Sequence, residues 1–243
     1  MRHRSLATAA VLACASLAGT LDLRAQQSDA QPPIEFQFQA ISLGGTLRSL
    51  FYRSDDEDKV IWIPNGGFSR VYEFKRLAPL VIFRRSALAD GGYQRDVIGR
   101  MPVTPAMHGG FYRLLVMRGD NGQLRIESVD FSDVRAKEDS YFLVNLCSEE
   151  LAIRMGPTRF RLAAGERRMM EISPDENGLL PTLILRREQG EYSAQYEDDF
   201  MVGNGNQGVL IIYSDPQRPD LLHTRLILTS PEPPEAPASG AGD

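Results

Sequence analysis

The sequence predicts an all-β protein made of two antiparallel β-sandwich modules in tandem. A motif occurs twice, since residues 79–85 read Pro-Leu-Val-Ile-Phe-Arg-Arg and residues 181–187 read Pro-Thr-Leu-Ile-Leu-Arg-Arg. Each copy holds an apolar run too short for a buried helix, which is typical of a strand covered on both faces. Each copy is followed by a hairpin-like pair of strands, at residues 112–131 and 209–228. After Ala25 no long helical stripe of apolar residues occurs, and turn residues recur at the short intervals expected of sandwiches.

The N-terminus has the pattern of a secretory signal peptide. Arg2 and Arg4 precede an apolar run at residues 6–17, and a region of small residues ends at Ala25. Because the apolar run is too short to span a bilayer, we expect cleavage after Ala25, a secreted or periplasmic product and no transmembrane segment after cleavage. A second interpretation remains open: Val-Leu-Ala-Cys at residues 11–14 resembles a bacterial lipobox, which would place a lipid anchor on Cys14.

Charge and cysteine content exclude several classes of protein. Cleavage after Ala25 removes three arginines and one aspartate, so the net charge moves from −5 to −7. An acidic chain lacks the clustered lysines and arginines that bind nucleic acid without sequence preference, and it is not attracted to anionic lipid. Only Cys147 remains after cleavage, so no disulfide can form within the chain and the fold has to be stabilised by burial of apolar side chains.

The first strand is predicted at Ile34, where Ile34, Phe36 and Phe38 alternate with polar residues, and we expect it at the edge of the first sheet. A charged, apolar-poor segment divides the two modules. The predicted organisation is a signal peptide at 1–25, a disordered leader at 26–33, a first β-sandwich module at 34–132, a linker at 133–140, a second β-sandwich module at 141–230 and a disordered tail at 231–243. A single closed barrel is the structural alternative.

The clearest supersecondary prediction is a hairpin at residues 112–127. Tyr112, Leu114 and Val116 alternate with Arg113, Leu115 and Met117 before Gly-Asp-Asn-Gly at residues 119–122, and Leu124 and Ile126 alternate with Arg125 and Glu127 after it. Asn-Gly supplies the backbone angles that a tight turn requires. Beyond Ser128 the apolar residues Val129 and Phe131 fall on the opposite parity, so a β-bulge is predicted there.

The sequence offers few residues for catalysis. The mature chain has two histidines, His108 and His223, and neither has a His, Cys or patterned carboxylate at metal-ligand spacing. We therefore predict no catalytic, cofactor-binding or metal-binding residue and no cofactor. His223 lies on the polar parity of its strand and is expected to be exposed. Cys147 lies in an apolar strand, where burial should raise the pKa of its thiol and leave it inert.

Three further motifs each have a structural and a functional interpretation. Asp-Asp-Glu-Asp at residues 55–58 is most simply a solvated turn, with a calcium site as the alternative. Trp62, Tyr72 and Phe74 could form a platform for sugar rings, although the apolar neighbours of Trp62 on both parities favour core burial. Arg-Gly-Asp at residues 118–120 spells an integrin-binding tripeptide, but a turn favours Gly and Asp in any case.

Two family resemblances bear on the fold. Ser-Arg-Val-Tyr at residues 69–72, the first motif at 79–83 and Val-Asn-Leu at 144–146 resemble secreted two-module bacterial proteins that carry no assigned function, which implies an immunoglobulin-like fold. Gly-Thr-Leu at residues 45–47, before Phe51 and Tyr52, is similar to the opening strand of periplasmic pilus chaperones. The proline-rich and arginine–lysine cleft signatures of the chaperones cannot be located in this sequence.

These observations predict an exported protein without catalytic activity. We expect a binding or structural module that contacts a protein or glycan partner in the cell envelope or the extracellular space, and no nucleic acid. The alternative is a carbohydrate-binding or hydrolytic secreted module.

Overall fold

A computed structural model describes residues 32–77, 79–119, 122–131, 139–188, 190–215 and 218–229. The predicted signal peptide, Cys14, residues 133–138 of the predicted linker and the predicted tail therefore lie outside the described residues. The all-β prediction is confirmed, because the described residues form sixteen strands and a single 3-10 turn at Pro105–Met107, with no α-helix. Contacts group the described residues from Pro33 onward into one compact unit. The strands are β1 Ile34–Ser42, β2 Leu47–Ser54, β3 Glu57–Ile63, β4 Tyr72–Arg76, β5 Leu80–Ala87, β6 Tyr93–Met101, β7 Phe111–Arg118, β8 Leu124–Asp130, β9 Ser140–Asn145, β10 Leu151–Met155, β11 Thr158–Leu162, β12 Arg167–Glu171, β13 Leu179–Glu188, β14 Glu191–Met201, β15 Gln207–Ser214 and β16 Leu222–Thr229.

The first eight strands form one strongly curled sheet in the order β3-β2-β5-β6-β8-β7-β1-β4. Its two ends approach each other, since the Tyr72 hydroxyl accepts a hydrogen bond from the Trp62 N–H at 3.0 Å and the Asp55 N–H donates to the Lys75 carbonyl at 2.8 Å. The sheet thus comes close to a closed barrel. Its interior is filled by large apolar side chains, among them Phe36, Phe38, Tyr52, Phe74, Leu80 and Ile82.

The last eight strands form a β-sandwich. One four-stranded sheet has the order β11-β10-β13-β14 and the other has the order β12-β9-β15-β16. The alternating strands turn one apolar face of each sheet inward, as the period of two requires. The core between the sheets includes Tyr141, Leu151, Met155, Leu180, Ile184, Leu210 and Ile212.

The two sets of eight strands pair in the same order, except that β6 pairs with β8 in the first set while β14 and β16 belong to separate sheets in the second. In each set the first strand pairs antiparallel with the fourth and parallel with the seventh, as β1 does with β4 and β7 and β9 does with β12 and β15. The repeated sequence motif lies in β5 and in β13, which occupy equivalent places. Each of these strands has a register shift at the same position of the motif, between Ile82 and Phe83 and between Ile184 and Leu185. The sequence repeat is therefore a repeat of strand pairing.

A third apolar cluster joins the two sets of strands. It packs the outer face of β1, β7 and β8 against the outer face of β9, β15 and β16. The guanidinium of Arg113 lies in this layer, 4.5 Å from the ring centroid of Phe68 and 4.1 Å from that of Phe131. Desolvation lowers the pKa of Arg113 to about 10. The cluster includes Ile41, Leu43, Leu115, Met117, Val129, Val144, Val209, Ile211 and Tyr213.

Two sequence-based expectations about strands are wrong, and one strand is missed. β1 is not an edge strand, because it lies between β4 and β7. No bulge occurs near Ser128, since β7 and β8 stay in continuous register from Tyr112 opposite Asp130 to Arg118 opposite Leu124. Val129 and Phe131 change parity because they pack into the third cluster. β14 was not predicted, because few of its residues are apolar.

Candidate functional site

The candidate site is the outward face of β2, β3, β5 and β6, on the side of the curled sheet away from its core. Ile61 and Ile63 point into that core and are fully buried, so the alternating residues of β3 point outward. Aromatic and arginine side chains dominate the outward positions, and we call this surface the aromatic–arginine face. It consists of Phe51, Asp58, Val60, Trp62, Phe83, Arg85, Tyr93 and Arg95.

Asp58 organises the charges of this face. Its Oδ2 accepts hydrogen bonds from Arg85 Nη2 at 3.0 Å, from Arg95 Nε at 3.0 Å and from the Tyr93 hydroxyl at 2.9 Å. The carboxylate side chain is only 3 % exposed. Burial opposes its ionisation, but the hydrogen bonds from Arg95, Tyr93 and Arg85 outweigh that effect and hold the pKa of Asp58 below its usual value of 3.8.

Both arginines also lie against aromatic rings. The guanidinium of Arg85 is 4.2 Å from the ring centroids of both Phe51 and Tyr93, and that of Arg95 is 5.6 Å from the centroid of Phe83. Phe83 is 1 % exposed although it points away from the core, because these side chains cover it. Cation–π contacts and the shared carboxylate restrain the long arginine side chains. The face is therefore preorganised.

Val60 and Trp62 form the open part of the face. They are 58 % and 50 % exposed and are two residues apart on β3, which lies at the edge of the sheet. The backbone of Trp62 is held by Tyr72, whose hydroxyl accepts from the Trp62 N–H at 3.0 Å and donates to the Trp62 carbonyl at 3.2 Å. The expectation that Trp62 is buried is wrong. The three-ring sugar platform does not form either, because Tyr72 and Phe74 belong to the first core.

The acidic run at residues 55–58 is divided between two environments. Asp55 and Asp56 form an exposed turn with positive φ angles, and Asp56 Oδ1 lies 3.7 Å from Arg53 Nη2 and from Arg76 Nη2. Asp58 is not solvated, contrary to the prediction. Its carboxylate already accepts hydrogen bonds from two guanidinium groups. It is therefore poorly placed to bind a calcium ion. Within the described ranges, no group of three His, Cys, Asp or Glu side chains is placed to hold a metal ion.

The two histidines have separate surroundings. His108 is exposed, and its Nδ1 accepts from the Glu35 N–H at 3.3 Å in a shallow pocket beside Glu73. His223 is half-buried instead of fully exposed, since its ring stacks on Tyr213 at 5.4 Å and its Nε2 lies 3.4 Å from Asp215 Oδ2. The structure does not bring the histidines to a common carboxylate.

A cleft of about 680 Å³ lies where the β7–β8 hairpin meets the ends of β9, β13 and β15. Arg186 from the second motif closes its floor, because its Nη1 donates to the carbonyls of Pro219 and Asp220 at 3.2 and 3.0 Å and its Nε lies 2.7 Å from Glu149 Oε1. Arg186 is 8 % exposed, and its contacts connect β13 with residues 219–220 and with Glu149. This arrangement is structural, and it leaves the guanidinium little capacity for a ligand.

Cys147 borders the same cleft and is buried, as predicted, with 4 % exposure. Burial raises the pKa of its thiol, and the Ser214 hydroxyl donates to its Sγ at 3.6 Å. A protonated, buried thiol is a poor nucleophile. The Arg-Gly-Asp tripeptide cannot be placed, since Asp120 lies outside the described residues.

The comparisons with known proteins leave the family open. Neither the scan against protein-family models nor the search of curated proteins finds a match to this chain. Within the described part of the chain, no helix has the length and apolarity needed to cross a membrane.

Proposed function

We propose that the protein is an exported, non-catalytic binding protein whose aromatic–arginine face contacts a protein of the cell envelope or the extracellular space. The observation that carries the proposal is the exposure of Trp62 and Val60 beside a restrained cluster of Arg85, Arg95 and Tyr93. Trp, Tyr and Arg are the residues that dominate the binding energy of protein interfaces. Side chains already held in place lose little conformational entropy on binding.

Export by the signal peptide at residues 1–25 belongs to this proposal, with the lipid anchor at Cys14 as its variant. The assignment of residues 34–132 and 141–230 to two immunoglobulin-like modules is also part of this proposal. What supports the modules is that the two halves share the same strand pairings apart from the one between β6 and β8.

The proposal is tested with purified protein immobilised and exposed to a detergent-solubilised envelope fraction after cross-linking. We expect reproducible protein partners for the wild type and their loss in the Trp62→Ala variant. Leu228→Ala is the control, since it removes another exposed apolar side chain (44 %) from the second half. Equal recovery of the same proteins by all three would contradict the proposed face.

A carbohydrate-binding or hydrolytic module is the second candidate, and the exposed Trp62 ring is the observation that favours it, because such a ring can stack on a sugar. Retention on glycan beads that depends on Trp62, or turnover of a glycan panel, would establish this candidate in place of the first.

A further inference from the structure

We infer that two copies of the chain associate through the outward face of the sheet β11-β10-β13-β14. This inference is independent of the proposed function, since it concerns the other half of the molecule. The residues that alternate with the core residues Ile153, Leu180 and Ile184 point outward on this sheet. We call the surface the second-half face, and its members are Ala152, Arg154, Arg159, Arg161, Pro181, Leu183, Leu185, Arg187, Tyr192, Glu197, Asp199 and Met201.

The charges of the second-half face are separated across the sheet. One row of directly opposite residues reads Arg159, Arg154, Leu183 and Glu197 from β11 to β14. Arg161 on β11 and Asp199 on β14 add one charge of the same sign to each side, in rows that lie on opposite flanks of this one. The face is thus positive along β11 and β10 and negative along β14, with Pro181, Leu183 and Leu185 between them on β13; Arg187, at the far end of β13, is the exception.

The arginine side lacks counter-charges of its own. Arg154 and Arg159 are exposed and directly opposite each other, an arrangement that is unfavourable for like charges. The described residues supply neither of them with an ion pair, and Arg161 has one at 3.4 Å with Glu150. On the aromatic–arginine face, by contrast, both Arg85 and Arg95 form ion pairs with Asp58 of the same chain.

The face is complementary to itself under a two-fold rotation. If a second copy is turned by 180° about an axis parallel to the strands, its arginine side lies over the acidic side of the first copy, and the reverse contact follows by symmetry. The half-buried Leu183 and Leu185 then lie near the middle of the contact, with the aliphatic stem of the partner's Arg154 over Leu183. Opposite charges facing each other across such a contact favour this orientation over others.

The test is sedimentation velocity of the full chain at low and high salt. We expect the wild type to sediment as a dimer at micromolar concentration, with weaker association at high salt. Two charge-reversal variants, Arg154→Glu with Arg159→Glu and Glu197→Arg with Asp199→Arg, should each raise the dissociation constant by about 100-fold or more. The control is Arg48→Glu with Arg84→Glu, which reverses two exposed arginines of the first half and should leave the dimer unchanged.

Mixing the two charge-reversal variants gives the decisive result. Each variant repels itself, but in a mixed pair both charged contacts are attractive again, so a heterodimer should form. Its formation would also show that both variants are folded. A wild type that stays monomeric, a dimer that survives either reversal, or a mixture that stays monomeric would overturn the inference.

Discussion

At the scale of the residue, Asp58 determines how the aromatic–arginine face is built. An ionised carboxylate is costly to bury unless it is paired and hydrogen-bonded, and Asp58 receives three hydrogen bonds from Arg85, Tyr93 and Arg95. The sequence could not show this, because the partners lie 27 to 37 positions away. Four consecutive acidic residues between two strands indicate only a charged turn.

Replacing Asp58 by alanine should therefore destabilise the protein. The change leaves two guanidinium groups and one hydroxyl without their acceptor, and we expect a loss of about 1–3 kcal/mol in the free energy of unfolding. Urea denaturation followed by circular dichroism measures it. Asp56→Ala is the matched control, since Asp56 is 84 % exposed and should matter little. Equal losses in both variants would contradict the role given to Asp58.

The pH dependence follows from the same carboxylate. Because the folded state holds the pKa of Asp58 below the usual 3.8, folding favours the ionised form. Its stabilising contribution is complete above pH 3.8 and is lost as the pH falls through the folded pKa. We expect the difference in stability between the wild type and Asp58→Asn to shrink as the pH is lowered through this window. A difference that stays constant down to acid unfolding would be evidence against the shifted pKa.

Whether Trp62 is buried could not be predicted from the pattern of apolar residues around it. Its neighbours Ile61 and Ile63 are buried and Val60 is exposed, so both parities of β3 are apolar. An apolar run on both parities indicates a strand covered on both sides. β3 is instead an edge strand with its core on one side, and nothing in the sequence states whether the second apolar side is covered.

At the scale of the element, the repeated motif gave the most reliable prediction. Both copies are strands in equivalent places, and residues 112–118 and 124–130 form the predicted antiparallel pair. The register shifts in the motif strands were not foreseeable. The additional residues, Ile98 and Gln195, lie on the partner strands β6 and β14, where the alternation of apolar residues is weak.

Gly99 is the single position at which β6 pairs with β8, so it joins the two parts of the curled sheet. A Cβ on Gly99 would lie 2.9 Å from Leu124 Cβ and 3.2 Å from Ile126 Cδ1. We expect Gly99→Ala to lower the free energy of unfolding by about 1–3 kcal/mol. Thermal unfolding measures the loss, and Gly66→Ala is the control because the added Cβ there has open space. An unchanged melting temperature for Gly99→Ala would mean that β6 and β8 do not pack this closely.

At the scale of the whole molecule, the third apolar cluster makes the two sets of strands one body. The position of this cluster could not be predicted from the sequence, because alternation shows that one face of a strand is apolar but not which surface covers that face. Val129 and Phe131 illustrate this: their parity suggested a bulge, whereas they pack against the other half. The sequence signal for this cluster was a run with apolar residues on both parities, such as Leu114 to Met117, which indicates a strand covered on both faces.

We predict that the two halves unfold together. Ile211 is fully buried in the third cluster, and Ile211→Ala should cost about 2–5 kcal/mol. Trp62 is the only tryptophan and lies in the first half, so its fluorescence reports that half alone. The unfolding midpoint measured by Trp62 fluorescence should fall in the Ile211→Ala variant. It should stay constant in the Leu228→Ala variant, because Leu228 is exposed. A Trp62 midpoint unaffected by Ile211→Ala would show that the halves unfold independently.

The binding role of the aromatic–arginine face is tested most directly by photo-cross-linking from position 60. A benzophenone amino acid is placed at Val60, and in a separate protein at Leu88, which is exposed in the same half. With an envelope fraction, we predict a discrete protein adduct from position 60 that excess wild-type protein suppresses and excess Trp62→Ala protein does not. No adduct from position 60, or equal suppression by the two competitors, would contradict the account.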